Sequence, residues 1–341
     1  MNLSSTNRFD LIRFLLAAGV FAYHALALSF AAPGGPLELA LADLAEVCIQ
    51  GFFIVSGALV AGSLARASGL ADYAGKRIRR LYPAYAAVLL VPAIVSLALT
   101  QDVPGVLRYL AANLVFLNFL EPNLPGLFAE NRFTEVNGSL WTLKIEVMFY
   151  AVLPFILFVL TKLGRLWWAG IAALYLGAVA WATLLPLALD GQAGLSLSRQ
   201  LPGQMSFFAM GIVLWKCEPQ LRCRWRALAI SGTILLAATM MHPELEPLRA
   251  LALASLIAGA AFAPGPPLSP ARIGDISYGL YISHFPILQA MAAAGLVAAL
   301  GLPGFLALAA LLVTLASLAL WHLVEKPALR PSSHYRKMAE K

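Results

Sequence analysis

The feature that most constrains this chain is a succession of apolar runs separated by short polar or basic turns. A helix needs about 20 mostly apolar residues to cross a bilayer's hydrocarbon core. Ten runs read as such spans: 9–30, 42–65, 81–100, 140–160, 168–188, 200–216, 228–241, 249–263, 276–300 and 304–325. Composition agrees, because 60% of the 341 residues are hydrophobic and 12% are charged, where soluble domains carry about 25% charged residues. A water-soluble fold is excluded. Disorder and collagen are excluded too, since the 26 Gly and 21 Pro follow no period. The expected fold is all-α and polytopic, with about ten transmembrane helices. It forms one membrane domain over 1–330 and a short basic tail over 331–341. The segment 107–120 is apolar but short, and is expected to be re-entrant or interfacial.

The net charge of +7 is accounted for by topology rather than by nucleic acid. With the N-terminus cytoplasmic, 19 of the 24 Lys and Arg residues fall on inside segments. The other five, Arg108, Arg132, Lys144, Arg199 and Arg249, fall outside. That asymmetry is the positive-inside pattern, and it places both termini in the cytoplasm. A cleaved signal peptide ending near Ala31-Ala32 would invert the alternation. Cys48, Cys217 and Cys223 form no CxxC and give neither a disulfide framework nor a zinc site. No metal is expected.

Polar side chains inside such spans are costly and mark candidate sites. Arg13 and His24 are 11 residues apart, about 20° from three full turns, so both lie on one helix face about 16 Å apart along the axis. Arg13 either snorkels to the cytoplasmic rim or serves a site; His24 either bonds a neighbouring helix or acts as a base. Glu146 in SLWTLKIEVMFY falls at a similar depth to His24 and is expected to pair with its ring, fixing the tautomer. Lys144 and Glu146, two residues apart, do not face each other on a helix. In DISYGLYISHFP, Ser277, Tyr281 and His284 share a face, and Pro286 leaves the carbonyl of Ile282 without its helical donor. Gly51 and Gly57, flanking Ser56, favour close helix packing. The loop KRIRR, 76–80, is a topology signal, an anchor for anionic membrane lipid, or a phosphate-binding cluster. His322 and Glu325 are spaced for a local pair.

Six segments stand in an order that resembles the acyltransferase 3 family of membrane acyltransferases: RFDLIRFLLAAGVFAYH, GFFIVSGALV, KRIRRLYPAY, SLWTLKIEVMFY, DISYGLYISHFPI and WHLVEKP. The resemblance spans nearly the whole chain. The family's Arg, ten residues, His motif falls on Arg13 and His24, and its Arg-x-x-Arg motif on Arg77 and Arg80. Its Trp-Ser-Leu…Glu…Phe-Tyr motif falls on Trp141, Glu146, Phe149 and Tyr150, and its Ser-Tyr…His-x-Pro motif on Ser277, Tyr278, His284 and Pro286. Thr142 stands where Ser is usual, and Lys144 and Met148 interrupt a stretch that is often Glu-rich.

The resemblance implies an O-acyltransferase of a bacterial-type inner membrane, similar to members that lack an added hydrolase-like domain. It implies acyl-CoA, commonly acetyl-CoA, as donor and a carbohydrate or glycolipid as acceptor. His24 and Glu146 would then be catalytic, and Arg13, Arg77 and Arg80 would hold the donor's phosphates. Tyr281 and Ser277 are candidates to stabilise an oxyanion. Loop 121–139 is the expected acceptor-facing element. The alternative class is a transporter or flippase with a buried polar path, although no inverted repeat is found.

Overall fold

The computed structural model describes residues 8–30, 33–189, 191–266, 275–331, 333 and 336. The Ala31-Ala32 pair, Arg272 and most of the 331–341 tail lie outside these. Among the described residues the regular structure is helical, with no strand: α1 (Phe9–Ser29), α2 (Pro36–Ala65), α3 (Leu70–Thr100), α4 (Val103–Asn113), α5 (Trp141–Lys162), α6 (Trp167–Ala188), α7 (Gly191–Ser198), α8 (Leu201–Lys216), α9 (Glu218–Cys223), α10 (Trp225–Met241), α11 (Arg249–Phe262), α12 (Ile276–Ala293), α13 (Leu296–Ala319) and α14 (Lys326–Ala328). A π-helical turn, Leu320–Glu325, joins α13 to α14.

Among the described residues, seven helical stretches are long and apolar enough to cross a membrane. They correspond to seven of the ten expected spans. The other three expected spans fall on α8, α10 and α12, which do not reach that length and apolarity together. The protein is thus an all-α polytopic membrane protein.

Helix boundaries depart from the apolar runs in instructive ways. The segment 76–80, expected as a loop, lies inside α3, which starts at Leu70. Asp72 accepts the backbone N–H of Ser68 and so tethers the helix start. Lys and Arg are good helix formers, so the helix continues where hydropathy stops; apolarity marks the membrane-embedded part of a helix and not its ends. The span expected to run to 300 ends at Ala293, because Gly295 adopts a left-handed conformation (φ 68°) and α13 begins at Leu296. Of the segment 107–120, the part up to Asn113 is helical in α4. That helix is capped by Asp102, which accepts the N–H of Gly105.

The chain divides into two compact units. The first comprises Met1–Arg13, Ile49–Tyr73 and Ile145–Leu268; the second comprises Phe14–Cys48, Ala74–Lys144 and Ser269–Lys341. In the first, rings of Phe53, Phe208 and Phe149 stack in sequence, with centroids 4.9 and 3.9 Å apart. Small residues let backbones touch beside them. A Cβ on Gly57 would lie 2.5 Å from the Phe208 carbonyl oxygen. Gly232 lies against the backbone of Leu256, and Gly259 against Ala229, which brings α10 and α11 together. Without a hydrophobic drive between helices in lipid, such close backbone approach is how they associate. In the second unit a buried cluster of Ala25, Leu28, Phe285, Leu288, Met291, Phe305 and Ala309 joins α1, α12 and α13.

Pro154 and Pro286 sit inside α5 and α12, and each lacks the N–H that would satisfy the carbonyl four residues earlier. Both carbonyls find a side chain. The Tyr73 hydroxyl donates to Tyr150 O (3.0 Å), and Asn137 Nδ2 donates to Ile282 O (2.8 Å). The acceptor expected at Ile282 is present and occupied.

Replacing Gly57 with Val should force α2 away from α8 and cost about 1–3 kcal/mol, the usual penalty of overpacking. The thermal melt of the purified protein in detergent reads this as a lower Tm. An unchanged Tm would mean that the two backbones are not in contact there.

Candidate active site

Three polar centres are built from residues the sequence singles out. The first joins two histidines 260 positions apart. His24 Nδ1 lies 2.9 Å from His284 Nε2, and His284 Nδ1 lies 3.1 Å from the carbonyl oxygen of Leu280, one turn earlier on α12. A carbonyl can only accept, so His284 Nδ1 carries a hydrogen. With both rings neutral, His284 Nε2 then holds a lone pair, His24 Nδ1–H donates to it, and the lone pair of His24 is left on Nε2. The backbone of α12 thereby sets the tautomer of a ring on α1. His284 is fully buried, with the rings of Phe21, Tyr281 and Phe285 around it at centroid distances of 6.3, 6.0 and 6.5 Å. His24 is half-buried and packs edge-on against Phe285 at 5.1 Å.

The second centre surrounds Arg80, which is buried. Its guanidinium bonds Glu325 through Nη1 and Asp275 through Nη2, the latter at 2.5 Å. Asp275 precedes α12, where the positive end of the helix dipole favours a carboxylate. The Ser277 hydroxyl donates to its other oxygen at 2.7 Å. The Tyr278 ring lies 5.3 Å under the guanidinium while its hydroxyl donates to Leu81 O. One cation thus ties α3, the start of α12 and the π turn together. The π turn ends on Glu325 itself, and such turns often re-aim a functional side chain.

Two residues have partners here that the sequence did not indicate. Arg80, expected to hold donor phosphates, has both terminal nitrogens committed to buried carboxylates. Glu325, expected to pair with His322, pairs with Arg80. Ser277 and Tyr278 brace this centre.

The third centre is Glu146, whose Oε1 accepts from the hydroxyls of Ser56 and Tyr150, each at 2.5 Å. Ser56 thus has a polar role beyond the packing of its neighbouring glycine. The His24 ring bonds His284, and the Glu146 carboxylate bonds these two hydroxyls. Other candidates lie apart from these bonds. The Tyr281 and Thr142 hydroxyls lie 2.6 Å apart, so Thr at the position of the usual Ser keeps a hydroxyl in place. Trp141 lines a cavity beneath the loop that follows α4. Arg77, half-buried, lies one turn before Arg80 on α3. Among the described residues no group of three or more His, Cys, Asp or Glu side chains is placed to hold a metal ion.

Sequence reasoning missed Asp275 and Asn137. Asp275 stood in the quoted motif and could have been found as a carboxylate at a helix start; nothing in the sequence marks Asn137.

A helical membrane protein with an oriented histidine pair and buried ion centres is the class these features define. The model of the acyltransferase domain, acyltransferase 3, matches residues 6–322, and the chain belongs to this family. It is an acyl-transferring enzyme of the membrane, and the transporter alternative gives way. Nodulation protein 10 of Rhizobium leguminosarum bv. viciae is 27% identical over 95% of this chain and 93% of its own. Acyltransferase MdmB of Streptomyces mycarofaciens is 26% identical over 82% and 78%. Exopolysaccharide production protein ExoZ of Rhizobium meliloti (strain 1021) is 29% identical over 82% and 88%. No solved structure gives a significant match.

Removing the cation from the second centre should strand two buried carboxylates. Arg80→Met is expected to cost about 3–5 kcal/mol, read as a large fall in Tm. Neutralising all three groups together, Arg80→Met with Asp275→Asn and Glu325→Gln, should recover much of the loss. If Arg80→Met melts like the wild type, the ion centre is not a structural tie.

Proposed function

We propose that the protein is an O-acyltransferase that moves an acyl group, commonly acetyl, from cytoplasmic acyl-CoA to a hydroxyl of a cell-surface carbohydrate. The observation that carries this reading is the bond between His24 and His284, anchored on the Leu280 carbonyl. A sugar hydroxyl has a pKa far above 7 and needs a base. His24 Nε2 offers that lone pair, and removing the hydroxyl proton leaves oxygen free to attack the thioester carbonyl. The C–O bond forms, the tetrahedral oxyanion collapses, and the C–S bond breaks. The departing CoA sulfur takes the proton back from His24.

While His24 is protonated, its Nδ1–H points at the lone pair of His284. The second ring therefore steadies the imidazolium by accepting its hydrogen bond; it takes the orienting place of the carboxylate in a Ser-His-Asp triad without supplying a countercharge. Glu146 is assigned to ordering Ser56 and Tyr150. Ser277 and Tyr281 spend their hydroxyl hydrogens near Asp275, Thr142 and Ser139, so they position neighbouring groups and do not serve as oxyanion donors. With Arg80 committed, Arg77 is the cation of the Arg-x-x-Arg motif assigned to donor phosphates, and Arg13 keeps its expected part in attracting them. Residues 1–330 are read as one membrane acyltransferase domain in a bacterial-type inner membrane, with both termini cytoplasmic. Support for carbohydrate as acceptor comes from a relative named for exopolysaccharide production and from an O-acetyl transferase of Shigella phage Sf6, 27% identical over 43% of this chain.

Acetyl-CoA labelled in the acetyl group, supplied to inside-out vesicles with cell-surface polysaccharide, should yield labelled ester. His24→Ala should lower the rate by about 10²–10⁴-fold, the range for losing a general base. His284→Ala should lower kcat and leave acetyl-CoA binding unchanged. Full transfer by His24→Ala at normal protein levels would contradict the proposal, as would label that moves without forming an ester.

A further inference from the structure

The segment between α4 and α5 is polar and irregular, yet it is pinned along its length. Asn113 Nδ2 donates to Glu121 O (2.7 Å), the Val136 N–H to Pro122 O (2.9 Å), and Ser96 Oγ to Pro125 O (2.6 Å). From α12, Gln289 Nε2 reaches Phe133 O and Glu135 O at 2.7 and 2.8 Å. Arg132 bonds Glu38 at 2.8 Å and the Ala27 carbonyl at 3.0 Å. These ties hold open a cavity of about 280 Å³.

Its lining includes three aromatic side chains, Tyr109, Phe119 and Trp141, and polar ones that include Asn118, Glu135 and Lys144. Both amide hydrogens of Asn118 are used, on Tyr85 OH at 3.0 Å and Asn113 Oδ1 at 2.6 Å. Its own Oδ1 is buried with no partner among the described residues. A buried acceptor in that state is rare in a native protein. The Lys144 ammonium sits 4.7 Å above the Phe119 ring.

We propose that this cavity holds one neutral sugar ring of the acyl acceptor. The inference rests on the proposed transfer to carbohydrate and adds where the acceptor is bound. A pyranose has apolar C–H faces, which aromatic rings cover, and an edge of hydroxyls that both donate and accept. The Glu135 carboxylate accepts from that edge, and Lys144 donates to it. One carboxylate and one ammonium cancel, so neither a uronate nor a phosphate is favoured over an uncharged ring. The volume lies near the lower limit of the ~300–1,000 Å³ typical of small-molecule sites, which suits one ring and not a chain of them.

The cavity also lies beside the proposed base. Gly138 in its wall faces Phe285 so closely that a Cβ would come within 2.8 Å of that ring, and Phe285 packs on His24. One side chain separates the cavity wall from the histidine.

The test is saturation-transfer NMR on the full-length protein in detergent. The probes are methyl α-glucopyranoside, methyl β-galactopyranoside and N-acetylglucosamine, with glucuronate as the charged comparison. At least one neutral sugar should bind the wild type. Glu135→Gln and Trp141→Ala should each weaken it about tenfold or more, with Tm and acetyl-CoA binding unchanged. Three results overturn the assignment: no binding of any neutral sugar, binding that survives both substitutions, or tighter binding of glucuronate. Sugar binding of the expected kind without labelled ester from acetyl-CoA would keep the cavity assignment and defeat the transfer reading. Ester formed equally well by wild type and both variants would do the reverse.

Discussion

A helix in hydrocarbon has no water to complete its hydrogen bonds, so every polar group the sequence places there must be met by another part of the chain. That constraint explains why distant segments of this protein are bound by single, specific contacts. Pro286 opens the carbonyl of Ile282, and Asn137 closes it. Pro154 opens the carbonyl of Tyr150, and Tyr73 closes it. Arg80 is tolerable in the interior because Asp275 and Glu325 meet it, with Tyr278 covering its face. Each contact fixes the position of a helix or loop that also carries a candidate functional group. Asn137 fixes both the wall of the cavity and the middle of α12.

The histidine pair belongs to the same economy. A neutral imidazole has one donor and one acceptor, and the Leu280 carbonyl decides which nitrogen of His284 is which. The consequence passes through one ring to the next and leaves a lone pair on His24 Nε2. The rings bond each other and the Leu280 carbonyl, so a carboxylate is not required to orient the proposed base. Under the proposed mechanism, orientation by a neutral partner avoids a buried negative charge beside the carbonyl on which an oxyanion would form.

Much of this was legible in the sequence. The apolar runs locate the helices, because hydrocarbon demands them. The basic residues predict a topology, and Pro286 predicts an open carbonyl at Ile282. His24, Arg80 and His284 stand out as polar groups in apolar surroundings. What the sequence does not disclose is which of these groups meet. His24 and His284 are 260 residues apart, Arg80 and Glu325 are 245 apart, and Asn137 and Ile282 are 145 apart. Matched depth constrains one coordinate of three, so depth alone does not name the His24–His284 pair. The π turn at Leu320–Glu325 changes where Glu325 points, so a spacing argument built on an ideal α-helix assigned it to His322. Helix ends were misplaced for a related reason: hydropathy registers the solvent around a helix, while capping and propensity set its length.

The central claim is the tautomer of His24, and it can be observed directly. Solid-state NMR of ¹⁵N-histidine-labelled protein in bilayers separates protonated from unprotonated ring nitrogens, and the chain has five histidines to assign. The His24 signals are identified by their loss in His24→Asn. The account predicts a protonated Nδ1 and an unprotonated Nε2 on His24, with through-space transfer from that Nδ1 hydrogen to His284 Nε2. A His24 ring protonated on Nε2, with the lone pair on Nδ1, would contradict it.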